Sequence, residues 1–301
     1  MRQSLVLVVV LLTIQCINVR SMQSVRRVSS SLGLKSTSRS WRLVSLGSAY
    51  HSESGWEADF DVHHKAFADL DLSKTQWRLL EEMSARLYDW NSKINLVSRK
   101  DVDNLVPSHI VPCMTIAKVH RFKTNEPVID IGTGGGLPGL PMAILCPDAE
   151  FTLLDSVGKK LLVVEDICQA LRLDNVRVVN DRAENFARTG NSFDFLMGRA
   201  VSNLPHFLSF SCDLIKDNSN FPDSGLLYLK GGEFQDEIDN AGIIQNYEMH
   251  DVQDLAGVQS DKKILRVGAN EIISFRSRKD NVLAWLAEKK KKEKAERKAS
   301  E

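Results

Sequence analysis

The spacing of apolar positions along the chain changes near residue 120. Before that point apolar side chains recur at three- and four-residue steps, as on one face of a helix: Leu70, Leu72, Trp77, Leu80, Met83 and Leu87. Ser73 is the predicted N-cap of a helix that runs through Trp90. A second helical stretch is predicted over 101–119, with interruptions near Pro107 and Pro112.

From residue 127 the pattern is different. Short apolar runs such as 128–131 and 151–154 alternate with amphipathic stretches such as 159–173. This alternation of strands and helices predicts an α/β fold, with a mostly parallel sheet covered by helices on both faces. The stretch Lys263–Arg276 alternates less cleanly, and we interpret it as a pair of strands at the edge of the sheet.

These patterns divide the chain into four parts: a targeting segment (1–52), a small helical cap (53–120), the main domain (121–280) and a charged C-terminal tail (281–301). Residues 288–298 of the tail read EKKKKEKAERK. A solvated helix end is the favoured interpretation of this run, and a tail that contacts RNA is the alternative.

Composition excludes several classes of protein. Apolar residues make up 43% of the chain and charged residues 26%, which is a normal globular balance and excludes collagen and wholesale disorder. No apolar run reaches the roughly 18 residues that span a bilayer. The chain has 39 Lys and Arg against 39 Asp and Glu, so it is not a strongly basic protein that coats nucleic acid.

The charges are unevenly distributed, because residues 1–52 contain seven Lys or Arg and no acid. An apolar run at 5–12 has the length of a signal-peptide core, and residues 21–52 are rich in Ser and Arg. This composition favours organelle targeting over a disordered tail or a secreted protein with a basic linker. The leading apolar run favours a plastid over a mitochondrion. Once the presequence is removed, no stable membrane association is expected.

The five cysteines are widely spaced and form no C-x-x-C pair, so we expect neither a disulfide framework nor a metal site. Cys146 precedes a proline, a setting in which some enzymes place a nucleophilic cysteine, but packing is the favoured role for its side chain. His109 and the pair His63-His64 lack metal-ligand spacing and are interpreted as structural or solvent-facing.

The candidate chemistry lies in a glycine-rich run, VIDIGTGGGLPG, at 128–139. Gly134, Gly136 and Gly139 satisfy the dinucleotide pattern G-x-G-x-x-G, so NAD and S-adenosylmethionine (AdoMet) are both candidate ligands. Asp130, two residues before the first glycine, favours AdoMet, because a carboxylate attracts a cationic cofactor and repels a pyrophosphate. Asp155, at the end of the next predicted strand, is placed to accept hydrogen bonds from ribose hydroxyls of either ligand.

The run DIGTGGGLPGLPMAILCPDAEFTLLDSVGKK resembles the family of bacterial small-subunit ribosomal RNA (guanine-N7)-methyltransferases, also called the glucose-inhibited division protein B family. Further blocks match in order: YDWNSKINL at 88–96, His109-Ile110, NVRVVNDRAE at 175–184, Arg199-Ala200 and Leu229-Lys230-Gly231. The resemblance covers residues 70–237. It implies a Rossmann-like class I AdoMet-dependent methyltransferase fold.

The resemblance also implies roles for matching residues. The glycines and Leu137 would wrap the methionine and ribose, Ala183 and Glu184 would border the adenine, and Arg199 would lie at the mouth of the site. The predicted cofactor-binding residues are Asp130, Gly132, Thr133, Gly134, Gly136, Leu137, Asp155, Ala183, Glu184 and Arg199. The candidate RNA contacts are Arg182, Arg199 and Lys230.

The chain departs from the family at one loop. The family pattern His-x-Leu-Asp-Ser becomes His109-Ile110-Val111-Pro112-Cys113 here, so the carboxylate of that loop has no counterpart. After Lys230 the match fades.

The predicted activity is transfer of a methyl group from AdoMet to N7 of a guanine in small-subunit rRNA of an organellar ribosome. We expect a monomeric enzyme that needs no metal and no catalytic base, and that acts on rRNA within an assembling subunit. An NAD-dependent oxidoreductase and a catalytically silent assembly factor that binds rRNA are the alternatives.

Overall fold

The computed structural model describes residues 60–98 and 101–300. All of them belong to one compact unit, residues 50–301. The predicted targeting segment, 1–52, lies outside the described residues, as does Cys16.

The helical region ahead of the sheet is present. A 3-10 helix spans His64–Leu70 and helix α1 spans Lys74–Asn91. Ser73 is the N-cap of α1, as predicted: its hydroxyl accepts a hydrogen bond from the Gln76 amide, and the Gln76 side chain accepts one from the Ser73 amide. The Gln76 side-chain amide also donates to two carbonyls of the main domain, which ties α1 to the rest of the protein.

Short helical pieces follow in the predicted second stretch: a 3-10 turn at Val102–Asn104, a π turn at Val106–Ile110, α2 at Val111–Met114 and α3 at Ile116–Val119. Pro107 and Pro112 each lie in the first turn of a new piece. A proline is tolerated there because the amide it lacks would have no helical partner.

The centre of the molecule is a seven-stranded sheet with the order β3-β2-β1-β4-β5-β7-β6. The first five strands in that order are parallel, β7 is antiparallel to β5, and β6 is antiparallel to β7. The strands are β1 (Pro127–Ile131), β2 (Glu150–Asp155), β3 (Val176–Asn180), β4 (Phe195–Arg199), β5 (Gly225–Gly231), β6 (Tyr247–Asp251) and β7 (Lys262–Gly268). The order reverses at β1, so a crevice opens at the carboxyl ends of β1 and β4.

Helices connect the strands and cover both faces of the sheet, as predicted. They are α4 (Gly139–Leu145), α5 (Gly158–Leu171), α6 (Ala183–Arg188), α7 (Leu204–Ser211), α8 (Gln235–Ala241), α9 (Val252–Ala256) and α10 (Ala269–Ser300). Among the described residues no helix is both long enough and apolar enough to cross a bilayer.

The predicted edge pair at Lys263–Arg276 is wrong. Only its first half is a strand, β7, and β7 lies inside the sheet between β5 and β6. Helix α10 begins at Ala269 and continues without a break into the predicted tail. The strand at this edge of the sheet is β6. Its side chains are all at least partly exposed, so no apolar alternation marks it in the sequence.

The helical region and the sheet share a core. One cluster of buried side chains includes Phe67 and Leu80 from the helical region together with Val128 and Phe151 from the sheet. A second cluster, which includes Phe207 and Tyr228, fills the opposite face. Residue 120 therefore marks a change of secondary structure within one packed body, and the helical region is held rigidly against the sheet.

Candidate functional site

The glycine-rich loop joins β1 to α4. Gly132, Gly134 and Gly136 have φ angles of 73°, 57° and 94°, in the region that side chains disfavour. Gly139, at the start of α4, is needed for a different reason: a Cβ there would lie 1.9 Å from Cδ2 of Leu153 on β2. The glycines therefore allow both the shape of the loop and its close packing on the sheet.

Gly134 differs from its neighbours in what it faces. A Cβ at this position would meet only the Gly132 carbonyl and the Lys160 ammonium, both 4.0 Å away. At Gly136, by contrast, a Cβ would lie only 2.3 Å from Cδ1 of Leu140. The backbone at Gly134 is thus bare on its outer side, and a ligand can approach it closely.

Asp155 ends β2, as predicted, and its carboxylate lies beside the loop. One oxygen accepts a hydrogen bond from the Gly134 amide and the other from the Val157 amide, both at 2.8 Å. The residue is 9% exposed. Each carboxylate oxygen has two lone pairs, so both oxygens retain the capacity to accept hydrogen bonds from ligand hydroxyls.

A cavity of about 250 Å³ opens between the loop, the end of β2 and the start of α6. It brings together four predicted cofactor residues, Gly132, Asp155, Ala183 and Glu184, with the predicted RNA contact Arg182. The remaining lining residues are Ile131, Leu154, Ser156, Asp181, Val201 and Phe210. The cavity thus has apolar walls next to a carboxylate, an arrangement that suits a flat heterocycle joined to a sugar.

Val201 and Phe210 are lining residues that the sequence analysis missed. Val201 lies in the loop after β4, where the Tyr228 hydroxyl hydrogen-bonds to both backbone groups of Ser202. The Val201 side chain covers Gly132, since a Cβ on that glycine would lie 2.9 Å from it. No motif marks these two residues, because apolar contact across a fold leaves no pattern in the sequence.

Asp130 lies on β1, two residues before Gly132, as the sequence analysis placed it. It is fully buried beneath the loop, where one oxygen accepts hydrogen bonds from the Thr133 hydroxyl at 2.6 Å and the Gly139 amide at 2.9 Å. Its other oxygen has no partner among the described residues. Burial raises the pKa of this carboxyl to about 6, against the opposing effect of the two hydrogen bonds. Its predicted contact with the cofactor stays a prediction, and its visible role is to hold the loop.

Thr133 and Leu137 are buried as well. Leu137 does not line the 250 Å³ cavity. It lines a small cleft on the other side of the loop together with Leu87, Leu96, Val97, Leu105, Gly135 and Arg199. Six of the ten predicted cofactor residues thus line one of two recesses, four in the cavity and two in the cleft, and the helical region forms one wall of the cleft. The other four line neither recess: Asp130, Thr133, Gly134 and Gly136.

Arg199, at the end of β4, contacts a residue that we interpreted as structural or solvent-facing. Its Nη1 lies 3.0 Å from Nδ1 of His109, which is half-buried in the π turn of the helical region. Burial is the main cause that lowers the pKa of His109 to about 4, and the charge of Arg199 lowers it further. The contact is compatible with a structural role for His109 and adds Arg199 as its partner. The two positions are 90 residues apart, so no local pattern joins them.

The other two candidate RNA contacts have separate surroundings. Arg182 is exposed, and its backbone amide is bonded to the Asp181 carboxylate at 2.7 Å. Lys230, near the end of β5, forms a close ion pair with Glu237, whose second oxygen accepts from the Leu204 amide at the start of α7. Their predicted contacts with RNA remain predictions.

The described cysteines lack the features of nucleophiles. Cys113, Cys146 and Cys212 are buried, and Cys168 is partly buried. Burial raises the pKa of Cys113 to about 12 and that of Cys146 to about 11, so neither thiol ionises near neutral pH. Within residues 60–98 and 101–300 no three side chains of His, Cys, Asp or Glu are grouped to hold a metal ion.

The fold and the site define a Rossmann-like α/β protein with a nucleoside-sized cavity beside a glycine-rich loop. The family model described as GidB, rRNA small subunit methyltransferase G, matches residues 76–265, and the chain belongs to this family. This confirms the resemblance on which the sequence analysis relied.

Curated relatives carry the name ribosomal RNA small subunit methyltransferase G. The protein from Flavobacterium psychrophilum is 41% identical over 180 residues, which cover 60% of this chain and 85% of that protein. The protein from Porphyromonas gingivalis is 44% identical over 169 residues, covering 56% and 75%. Among solved structures, a precorrin-6y C5,15-methyltransferase from Geobacter metallireducens overlays 57% of this chain and 90% of its own, with a TM-score of 0.39 and 12% identity.

Proposed function

We propose that this protein transfers a methyl group from AdoMet to N7 of a guanine in small-subunit rRNA. The observation that carries the proposal is the 250 Å³ cavity, which places the glycine loop, Asp155 and the start of α6 around one space in a chain of the GidB family. Family membership also disfavours both alternatives, an NAD-dependent oxidoreductase and a silent assembly factor.

The described residues fit AdoMet. The bare backbone at Gly134 leaves room for its close approach, Asp155 has lone pairs for the ribose hydroxyls, and Ile131, Leu154 and Val201 offer apolar surface for the adenine. When bound, AdoMet supplies a methyl group on a positively charged sulfur. The chain's own residues then have to orient the two reactants and exclude water, which supplies much of the acceleration in such reactions.

No residue needs to remove a proton before the methyl group is transferred, because guanine N7 has a free lone pair. The site is consistent with this requirement. Asp130 has a raised pKa but is enclosed beneath the loop, and His109 is engaged by Arg199. The guanidinium of Arg199 is suited to another task, since an arginine can donate hydrogen bonds to guanine O6 or to a phosphate.

We further propose that the substrate is rRNA within a partly assembled small subunit. Residues 53–287 contain 25 Lys or Arg against 35 Asp or Glu, so the body of the protein is acidic. Affinity for bare RNA comes mainly from phosphates that Lys and Arg neutralise, and an acidic body neutralises few of them. Isolated small subunits should therefore be methylated faster than protein-free rRNA at the same moderate salt. Equal rates on both substrates would contradict the proposal.

A third proposal concerns location. The acid-free, Ser- and Arg-rich residues 21–52 behind an apolar run support import into an organelle, with a plastid favoured over a mitochondrion. A fluorescent protein fused behind residues 1–52 should enter an organelle, with a plastid favoured. The same fusion with the seven basic residues of that segment changed to Gln should stay in the cytosol. Retention of the first fusion in the cytosol would contradict the proposal.

The cofactor is tested by calorimetry on the purified protein. AdoMet should give a saturable binding heat with a stoichiometry of about one, as expected for a single glycine-loop cavity, and NAD should give none. Binding of NAD with no binding of AdoMet would favour the oxidoreductase. Binding of neither, together with retained affinity for the small subunit, would favour the assembly factor.

A further inference from the structure

The contact between His109 and Arg199 joins the helical region to the end of β4. His109 lies in the π turn Val106–Ile110, and its Nδ1 is 3.0 Å from Nη1 of Arg199. Among the described residues, the imidazole of His109 is the side chain that the structure pairs with this guanidinium. Pro112 stands where the family pattern has its acid, three residues after His109.

The chemistry of the pair fixes the direction of its hydrogen bond. A guanidinium has only donors, so Arg199 donates and the Nδ1 of His109 accepts. The imidazole is therefore neutral, with its proton on Nε2, and that nitrogen is buried without a partner among the described residues. Three charged groups face His109: Arg199 and Lys262 lower its pKa, Asp101 raises it, and burial has the largest effect.

We propose that His109 is a positioning residue for Arg199, and that it holds the guanidinium at the mouth of the site without neutralising its charge. This inference rests on the proposed function. A carboxylate in the same place would orient the guanidinium equally well but would cancel its charge. A neutral imidazole leaves a full positive charge facing the small cleft beside Gly135 and Leu137.

The position of the pair explains why the acceptor comes from the helical region. Arg199 ends its strand half-buried, and the cleft it lines is walled on one side by Leu87, Leu96 and Leu105 of that region. Packing of the helical region against the sheet thus brings the acceptor and the guanidinium together. A displaced guanidinium would present its donors to the wrong place, and small misplacements of such groups are costly in catalysis.

Methyl transfer to isolated small subunits tests this role with two variants of His109. His109→Leu removes the acceptor and should lower kcat/KM by about 10- to 100-fold. His109→Asn keeps an acceptor oxygen near the place of Nδ1 and should stay within about threefold of the parent. In an Arg199→Met background, His109→Leu should cause no further loss, because the residue it acts through is gone.

A second readout does not depend on activity. Two-bond proton–nitrogen NMR spectra of the free protein at about pH 6, above the lowered pKa of His109, should show its imidazole neutral with the proton on Nε2. Arg199→Met should raise the pKa of His109, because a positive charge that opposes its protonation is removed. Arg182→Met is the matched control, since that arginine lines the other cavity, and it should leave the pKa of His109 unchanged.

Each outcome decides the proposal. Equal losses for His109→Asn and His109→Leu, multiplying losses in the double variant, or a His109 pKa that ignores Arg199→Met would each overturn it. If the parent protein methylates no rRNA while the NMR results hold, the proposed function fails and the contact between the two residues stands.

Discussion

The two sides of β1 are built in different ways. On the side of β2 and β3, three segments that follow one another in the chain form most of the cavity: the glycine loop, the end of β2 and the start of α6. Val201 and Phe210, from beyond β4, complete its lining. On the side of β4 and β5, single side chains are held by partners from other segments, Arg199 by His109 and Lys230 by Glu237. The first side suits a cofactor, which is the same whatever the substrate. The side chains of the second side can differ between substrates without a change in the cofactor cavity.

The largest expected effect tests the bare backbone of the cofactor side. Gly134→Val should abolish measurable AdoMet binding, because its side chain would fill the space that the ligand occupies. Gly257→Val is the matched control: its φ of 65° is close to the 57° of Gly134, and a Cβ there meets nothing within 4 Å. Both variants strain the backbone, but only the first should lose the cofactor in calorimetry. If the two variants bound AdoMet equally well, the glycine loop would not be part of the cofactor site.

Asp130 tests whether the buried acid supports the loop. Its pKa is raised from 3.8 to about 6, so the fold disfavours the ionised carboxyl. The neutral Asp130 carboxyl therefore contributes to the free energy of unfolding, fully below about pH 4. This contribution is lost as the pH rises through about 6. Asp130→Asn stays neutral and keeps an acceptor for Thr133 and Gly139.

Urea unfolding of the parent and Asp130→Asn at a series of pH values checks this effect. Between about pH 4 and 7, the variant should gain up to about 3 kcal/mol in free energy of unfolding relative to the parent. A constant difference between the two proteins would contradict the raised pKa.

Asp155 tests the carboxylate that faces the cavity. Asp155→Ala should weaken AdoMet binding by about 1–3 kcal/mol, the scale of lost charge-assisted hydrogen bonds. Asp155→Asn retains one acceptor oxygen and should lose less. Calorimetry on the three proteins checks the order, and unchanged affinity in the alanine variant would place the ribose elsewhere.

The smallest effect is expected on the substrate side. Lys230→Met should slow methylation of small subunits by about fivefold, or about 1 kcal/mol, through a higher KM for the subunit. Its affinity for AdoMet should not change, because Lys230 does not line the cofactor cavity. If Lys230→Met also lost affinity for AdoMet, the cofactor side and the substrate side would not be separate.

Sequence reasoning predicted the local parts of this molecule. The N-cap at Ser73, the glycine loop and the place of Asp155 at the end of β2 all depend on residues close together in the chain. Each has a physical requirement that only certain residue types meet, such as positive φ or a side-chain oxygen at a helix start. Such requirements are visible in the sequence.

The parts that were missed depend on distant contacts. The pairing of His109 with Arg199 and the cover that Val201 provides over Gly132 arise only when the sheet has formed. Strand β6 was missed because its side chains are all partly exposed and its stability comes from pairing with β7. The start of α10 at Ala269 was missed because β7 runs directly into it, with no turn residues between them.

The most direct test of the central claim is to map methylated bases after incubation of isolated small ribosomal subunits with the protein and AdoMet. The rRNA is reduced and cleaved with aniline, which breaks the chain at N7-methylguanine, and the cleavage sites are read by primer extension. We predict one new cleavage at a guanine, present with the parent protein and absent with Gly134→Val. Methylation of a different base or atom, or no methylation by a protein that binds both AdoMet and the subunit, would contradict this claim.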